Sequence, residues 1–453
     1  MENFIDVQYI NDLIKKSEMA TQSQIESVLD KAALGRGLSH KDVAILLNIN
    51  EEKQLKRLHE TANMLKKTIY GDRVVLFAPL YISNYCVNNC QYCGYQRNNE
   101  IKRLKLNKEE IASEVKSLQA IGHKRLALEL GEDPNNIDID YVVDSIKTIY
   151  ESGDIRRVNV NIAATSVEDY KKLHDAEIGT YILFQETYNP DTYEKQHPSS
   201  LKGDYNRQLY AHHRAIEAGL DDVGGGVLFG LNDFRFEVVA MMLHNEELFK
   251  NFGVEFHTIS VPRLKPANGM SLENYPNIIS DEDFVKIVSI IRVAAPYVGM
   301  ILSTRESEQM RKRLLNQGIS QISANSKTTV GGYSEDQSQS QFTVEDERSL
   351  LETIKDLIKH DDLPSYCTAC YRMGRTGKEF HDQVASHKIS QMCHPNAILT
   401  SLEYAIETKD QELYDMTYPF LIKQIDKIKD PAVKIKVEEY FERIKNGERD
   451  LYI

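Results

Sequence analysis

The 453-residue chain has six cysteines and none to spare. They fall into two groups of three: Cys86, Cys90 and Cys93, then Cys367, Cys370 and Cys393. No cysteine is left over for packing or for a stray disulfide. Apolar runs of bilayer length are also missing; the longest, residues 74–82, is too short to span. The first eight residues hold acids and no basic signal region. A formal net charge of −13, with no long basic run, argues against nucleic acid and against an anionic membrane as partners. Low-complexity tracts are absent too. Together these absences predict a soluble cytoplasmic protein. In that compartment clustered cysteines point to metal or redox chemistry before disulfides.

What is present has an order. Residues 1–70 read as helical, with apolar residues three and four apart at 25–34 and 53–70. From Gly71 onward, eight β-prone runs alternate with amphipathic helices. The runs are 74–83, 125–130, 157–163, 180–185, 223–228, 255–261, 299–304 and 319–323. The helices are expected at 108–121, 141–152, 167–177, 205–218, 234–252, 281–294 and 307–317. Gly122, Gly153, Gly179, Gly219, Gly253 and Gly318 follow six of them, where a left-handed C-cap is wanted. Eight β–α units predict an α/β fold, a closed (βα)8 TIM-type barrel over 71–333. A helical extension over 1–70 precedes it. A polar linker at 334–341 leads to a helical C-terminal domain, 345–453, that carries the second cysteine group.

Polar residues gather where these runs end: the Cys86 loop, Gly131-Glu132-Asp133, Gln185-Glu186, His257, Ser303 with Arg305, and Ser323. In a parallel barrel those ends share one mouth, the usual place for an active site. The C-terminal segment is expected to cap that mouth or lead from it. His212 and His213 read as one face of a helix.

The first cysteine group is C-x-x-x-C-x-x-C, directly after a predicted strand. Three thiolates in a wrapping loop suit a 4Fe-4S cluster whose fourth iron stays open. Zinc prefers two paired knuckles or a nearby histidine, which this stretch lacks. The second group is C-x-x-C, a gap of 22 residues, and a third cysteine beside His394. On spacing alone, zinc and iron–sulfur suit it equally.

The first motif, with Tyr92 before its last cysteine, resembles the radical S-adenosylmethionine (SAM) superfamily. That resemblance implies SAM on the open iron, reductive cleavage of its sulfonium, and a 5′-deoxyadenosyl radical. It places Tyr92 near the adenine, although packing alone also accounts for that ring. Gly131 and Glu132 would hold the SAM amino group, with Leu130 where the superfamily often has a further glycine. Gln185, Glu186 and Arg207 would contact ribose and carboxylate; a purely structural Glu186–Arg207 ion pair is the plainer reading. The glycine-bearing stretch 224–231 resembles the superfamily's fifth strand.

Both cysteine groups, with LYISNYCVNNCQYCGY, FQETY, HTISVPRLKPA, LSTRES and CTACYRMGRTG, are similar to the HydG family. These are radical SAM tyrosine lyases, of 2-iminoacetate synthase type, that mature FeFe-hydrogenase. The related thiazole-pathway lyases lack the second triad and make no carbon monoxide or cyanide; such an aromatic amino acid lyase is the alternative. The resemblance implies hydrogen abstraction from the amino group of L-tyrosine and Cα–Cβ cleavage to p-cresol and dehydroglycine. A second 4Fe-4S cluster at Cys367, Cys370 and Cys393, with an extra iron held by His257, would convert dehydroglycine to carbon monoxide and cyanide. Ser303, Arg305 and Ser323 would clamp the tyrosine carboxylate. Arg372 and Arg375 would put positive charge beside the second cluster, if they are not merely solvated. Hydrogenase maturation proteins and an electron donor are the implied partners.

Overall fold

The computed structural model describes residues 3–334, 339–386 and 389–453. The middle of the expected linker, 335–338, lies outside the described residues.

Nine parallel strands form one sheet: β1 Arg73–Ser83, β2 Arg125–Leu130, β3 Arg157–Asn161, β4 Tyr181–Ile182, β5 Val223–Gly226, β6 Thr258–Ser260, β7 Gly299–Leu302, β8 Gln321–Ser323 and β9 Leu363–Ser365. The first eight close on themselves, because β1 pairs with both β2 and β8. The (βα)8 expectation is met. β1 is long enough for a third partner. Its upper part matches β2, Val75 to Phe77 match Gln321 to Ser323, and Arg73 to Val75 match Leu363 to Ser365 of β9.

The two-residue strand period sorts side chains by face. Phe77, Pro79 and Tyr81 of β1, Ala127 and Glu129 of β2, and Asn161 of β3 line one central cavity. By the same parity Arg73, Arg125 and Arg157, the opening residues of β1, β2 and β3, face the barrel interior at its other end.

Three expectations need correction. β4 is a two-residue strand, not 180–185. Beyond it the ladder continues as single bonds, Leu183 N–H to Gly224 O and Gln185 N–H to Gly226 O, each 2.9 Å. The helix expected over 205–218 breaks at Tyr210 into Tyr205–Leu209 and Ala211–Glu217. Of the six glycines, Gly122, Gly219, Gly253 and Gly318 have positive φ, but Gly153 is extended and Gly179 is not left-handed. Both are closely packed: a Cβ would lie 2.2 Å from Gln119 Oε1 at Gly153, where the glutamine can swing away, and 2.2 Å from Asn159 Oδ1 at Gly179.

Helices Val7–Ser17, Gln22–Ala33, His40–Leu46 and Glu52–Tyr70 lie against the barrel's outer helices. His40 Nδ1 meets Glu246 Oε2 at 2.8 Å, and Lys286 donates to the Leu47 carbonyl at 3.1 Å. After β9 the chain forms Gly377–Ala385, Ile389–Glu407, Gln411–Asp426 and Pro431–Lys445. Arg156 bonds Glu403, and Lys124 meets Glu407 at 3.1 Å. These contacts fix Ile389–Glu407 beneath the loops that enter β2 and β3. Among the described residues no helix is long and apolar enough to cross a membrane.

His212, His213 and His244 are all buried between Ala211–Glu217 and the helix Phe234–Phe252. The ring of His244 stacks 5.8 Å from His213, and lies 5.4 Å from His212. Burial pulls all three below the ordinary imidazole value, His212 to about 4. The unfolded chain therefore binds protons that the folded chain refuses. Stability is complete above about pH 6.5 and is lost as pH falls towards the folded values. Lowering the pH to about 5.5 is expected to cost roughly 1 kcal/mol through His212 alone, with His213 and His244 adding in the same direction. Denaturant midpoints at pH 7 and 5.5 check this; equal midpoints would contradict it.

Candidate active site at the two ends of the barrel

The chain leaving β1 carries Cys86, Cys90 and Cys93, all free thiols in the wall of a cavity of about 220 Å³. The loop is tied to the end of β2. Val87 N–H donates to the Glu132 carbonyl at 2.8 Å, and Asn88 Nδ2 donates to Glu132 Oε2 at 2.6 Å. Gly131 makes this approach possible, since a Cβ there would sit 2.2 Å from the Tyr85 carbonyl oxygen. Burial pushes all three thiols up, Cys93 to about 11. An electrophilic metal centre would offset that cost by taking the thiolates as ligands. The Lys202 ammonium adds positive charge near Cys90 while paired with Glu186 at 2.6 Å. Three mutually facing thiols on one loop, open to a cavity large enough for a ligand, fit a cluster with a free corner. Among the described residues no three His, Cys, Asp or Glu side chains converge on a single-ion site.

Tyr92, Gly131, Glu132, Glu186, Ser303, Arg305 and Ser323 line this same cavity, as their strand-end positions predict. Gln185 and Arg207 do not. Gln185 is buried behind the wall, with its Nε2 unpartnered. Arg207 reaches Glu132 Oε1 at 2.9 Å and also bonds the Ala164 carbonyl. The Glu186–Arg207 pair does not form: Glu186 holds Lys202, and Arg207 braces Glu132. Glu186 adopts φ 67, a strained conformation for a non-glycine residue, at the cavity edge. The Tyr92 hydroxyl lies 2.9 Å from His197 Nε2.

Arg305 has no ion pair among the described residues. Its guanidinium lies 3.3 Å from the centre of the Phe342 ring, and burial pulls it below its ordinary value. Ser303 Oγ accepts from the Arg305 N–H at 3.3 Å, and Ser323 Oγ accepts from the Thr304 N–H at 3.2 Å. Lys202, Gln341 and Phe342 complete the wall without having been anticipated. A lone lysine in a polar turn has no periodic signal, and of the other two Gln341 ends the linker and Phe342 follows it.

The second triad is at the opposite end. β9 runs beside the first residues of β1, so Cys367, which follows it, lies below the barrel floor. The C-terminal segment therefore does not cap the mouth. His257 belongs to this lower end as well. It precedes β6 rather than ending it, and its N–H donates to Val223 O at 2.8 Å. Its Nδ1 meets Asp222 Oδ1 at 3.2 Å, and its ring lies 4.5 Å from Phe380. Burial opposes ionisation of Asp222, but His257 and the Gly377 N–H hold the carboxyl below its ordinary value.

Cys367 and Cys393 are buried and Cys370 is half-buried. The hydrogen bond from Cys370 pulls Cys393 down to about 6. Positive charge comes mainly from residues not anticipated. Arg73 faces all three thiols, makes no ion pair, and has a buried, unpartnered Nε. Arg125 donates to the Cys367 carbonyl at 2.7 Å. Arg375 is also close, bonded to the sulfurs of Met373 and Met392. Arg372 instead pairs with Asp450 at 2.8 Å. His394 donates its Nε2 hydrogen to Gln424 O at 3.0 Å. Three free thiols beside Arg73 and Arg125, which have no carboxylate partner among the described residues, fit an anionic iron–sulfur cluster.

The Radical SAM superfamily pattern matches residues 80–243, and the Biotin and Thiamin Synthesis associated domain matches 260–362. The 2-iminoacetate synthase of Escherichia coli (strain K12) is 31% identical over 330 residues, 72% of this chain and 85% of that protein. A crystal structure of HydG, described as a maturase of the [FeFe]-hydrogenase, superposes with a TM-score of 0.97 at 50% identity, covering 99% of this chain and 100% of that one. The chain belongs to the HydG family of radical SAM enzymes. HydG from Carboxydothermus hydrogenoformans superposes with a TM-score of 0.84 at 38% identity, over 96% of this chain and 97% of that one. Both HydG matches run through the helices that follow β9.

The contact at Gly131 yields a direct check. Gly131→Ala is expected to force the cysteine loop off β2, lowering stability by about 1–3 kcal/mol and removing iron from the first triad. Iron per reconstituted chain should fall by about half, and wild-type loading would contradict the contact.

Proposed function

We propose that the chain cleaves the Cα–Cβ bond of L-tyrosine to p-cresol and dehydroglycine, and delivers the latter to the second triad for conversion to carbon monoxide and cyanide. The products would serve assembly of an FeFe-hydrogenase cofactor. One observation carries this reading: two thiol triads at opposite ends of one barrel, with a cavity above and inward-facing arginines below.

Cys86, Cys90 and Cys93 would hold one 4Fe-4S cluster, and Cys367, Cys370 and Cys393 a second. When bound and reduced, the first cluster supplies the electron that releases a 5′-deoxyadenosyl radical from SAM. The chain's own residues then position the substrate. Arg305, without an ion pair among the described residues, would take the tyrosine carboxylate through two parallel hydrogen bonds, with Ser303 and Ser323 beside it. Glu132, already oriented by Asn88 and Arg207, would accept from the SAM amino group. Tyr92 would flank the adenine. Phe77, Ile182 and Ile301 give the deep cavity an apolar wall that keeps water from the radical and from dehydroglycine, an imine that hydrolyses in bulk solvent. Below them, Arg73, Arg125 and Arg157 offer positive charge to a carboxylate leaving the cavity downward. His257, at that end, would serve as a ligand for an extra iron, the cargo on which the diatomic products would collect. A cytoplasmic setting, an electron donor and partner maturation proteins complete the proposal.

Likeness to a 2-iminoacetate synthase favours a second reading, in which the reaction stops at dehydroglycine. Cys393→Ala separates the two. Anaerobically reconstituted enzyme would be incubated with SAM, dithionite and tyrosine, with deoxyadenosine and p-cresol quantified and carbon monoxide trapped on a haem protein. The variant is expected to keep p-cresol within about twofold and to lose carbon monoxide at least about tenfold (~1.4 kcal/mol). A wild type that makes p-cresol but no carbon monoxide favours the shorter reaction. Equal loss of both products from the variant contradicts a separate second stage.

A further inference from the structure

Three carboxylates line the upper cavity: Glu129, Glu132 and Glu186. Two are committed. Glu132 is held by Asn88 and Arg207, and Glu186 by Lys202. Glu129 is different. It sits on β2 at an inward position, half-buried and facing the cavity, and is hydrogen-bonded only by the neutral side chain of Asn161. The groups that face it come from three other directions: Tyr81 of β1, Tyr95 of the cysteine loop, and Arg305 beyond β7. Both phenols are already donating, Tyr81 to Gln341 Oε1 at 2.8 Å and Tyr95 to Thr328 O at 2.7 Å. Arg305 makes no ion pair with Glu129 and stays available for a substrate carboxylate. Among the described residues lining the cavity, Glu129 is therefore the carboxylate left free to exchange a proton with a ligand.

The reaction needs such a group. An amino acid arrives with its nitrogen as an ammonium, which has no lone pair. Taking a hydrogen atom from it would leave a localised radical cation. Taking the atom from a neutral amine leaves a radical on a nitrogen that keeps its lone pair. The proton must leave first. A carboxylate held on Arg305 brings its α-nitrogen, one carbon away, into the space that Arg305 shares with Glu129.

We propose that Glu129 is the base that removes the α-ammonium proton of the bound substrate before hydrogen-atom abstraction. The inference rests on the tyrosine-lyase reading above. In the step an N–H bond breaks heterolytically and its electron pair stays on nitrogen. The proton forms an O–H bond to the Glu129 carboxylate, so ammonium and carboxylate become amine and carboxylic acid. Burial pushes Glu129 up to about 8, close to the basicity of an amine. Transfer is then nearly level, whereas an ordinary carboxylate near 4.3 would make it steeply uphill. At pH 7 a carboxyl near 8 is mostly the acid, so about a tenth of it is the base at any moment and the wild-type rate is expected to rise as the pH approaches 8. After each transfer the carboxyl sheds its proton before the next turnover.

Glu129→Gln keeps the shape and removes the base. At pH 7 its rates of deoxyadenosine and p-cresol formation are expected to fall about 100-fold. Tyrosine affinity, by equilibrium dialysis on unreduced enzyme, should stay within about threefold of wild type, with iron content and SAM binding unchanged. The deficit should hold from pH 7 to 8, where the Glu129 base and the amine form of free tyrosine increase alike, and shrink about tenfold from pH 8 to 9, where Glu129 is already ionised and the amine fraction still grows. Glu129→Asp, which retains a carboxylate, should be slower but keep the wild-type pH profile. Wild-type rates in Glu129→Gln would overturn the proposal. So would a loss that no pH restores, or an aspartate variant that needs high pH as glutamine does. A wild type that makes no p-cresol would instead sink the lyase reading itself.

Discussion

Everything in this molecule depends on the parallel closure of eight strands. Parallel strands give a barrel two chemically distinct ends, since every loop that follows a strand meets at one and every loop that precedes a strand meets at the other. The first thiol triad follows β1 and opens on the upper cavity. The second follows β9, which pairs with the start of β1, and so lies at the lower end. One strand, β1, thus separates the two sulfur centres by its own length while keeping both against the same interior.

The two ends differ in how charge is balanced. Around the upper triad most ions have partners: Lys202 with Glu186, Arg207 with Glu132. Arg305 and Glu129 are the exceptions, and both face the cavity where a zwitterionic amino acid would supply the missing charges. At the lower end Arg73 and Arg125 lack carboxylate partners, and Arg157 stacks on the Tyr371 ring at 3.9 Å. Burying a guanidinium without an anion is costly. Three thiolates on an iron–sulfur cluster would supply that anion. A cationic lower end would also attract a carboxylate released above it, as the proposed two-stage reaction requires.

Much of this was legible in the sequence, for reasons that can be named. β1 is an uninterrupted apolar run, and β2 is bounded by arginine and glycine, so both were placed within a residue. The cysteine spacing isolated both triads. His257 was assigned to the wrong end because an apolar run marks a strand without fixing which of its residues enter the ladder. In the structure only Thr258 to Ser260 do so, and the histidine falls just before them. Gln185 and Arg207 were carried by analogy of position, and neither reaches the cavity. The second layer was harder to see. Lys202 becomes informative only once Glu186 has turned to meet it. Arg125 and Arg157 each open a β-prone run and Arg73 stands just before one, a regularity visible in the sequence, but their common inward direction depends on register between strands. Register is a property of pairing partners far apart in the chain.

The central claim is spatial: two iron–sulfur centres, one at each end of a single barrel. Anomalous diffraction at the iron edge, from crystals of anaerobically reconstituted enzyme, tests it most directly. The account predicts two multi-iron peaks, one enclosed by Cys86, Cys90 and Cys93 and the other by Cys367, Cys370 and Cys393, with the length of β1 between them. Both peaks at one mouth, or a signal at the zinc edge in place of iron at either triad, would contradict it.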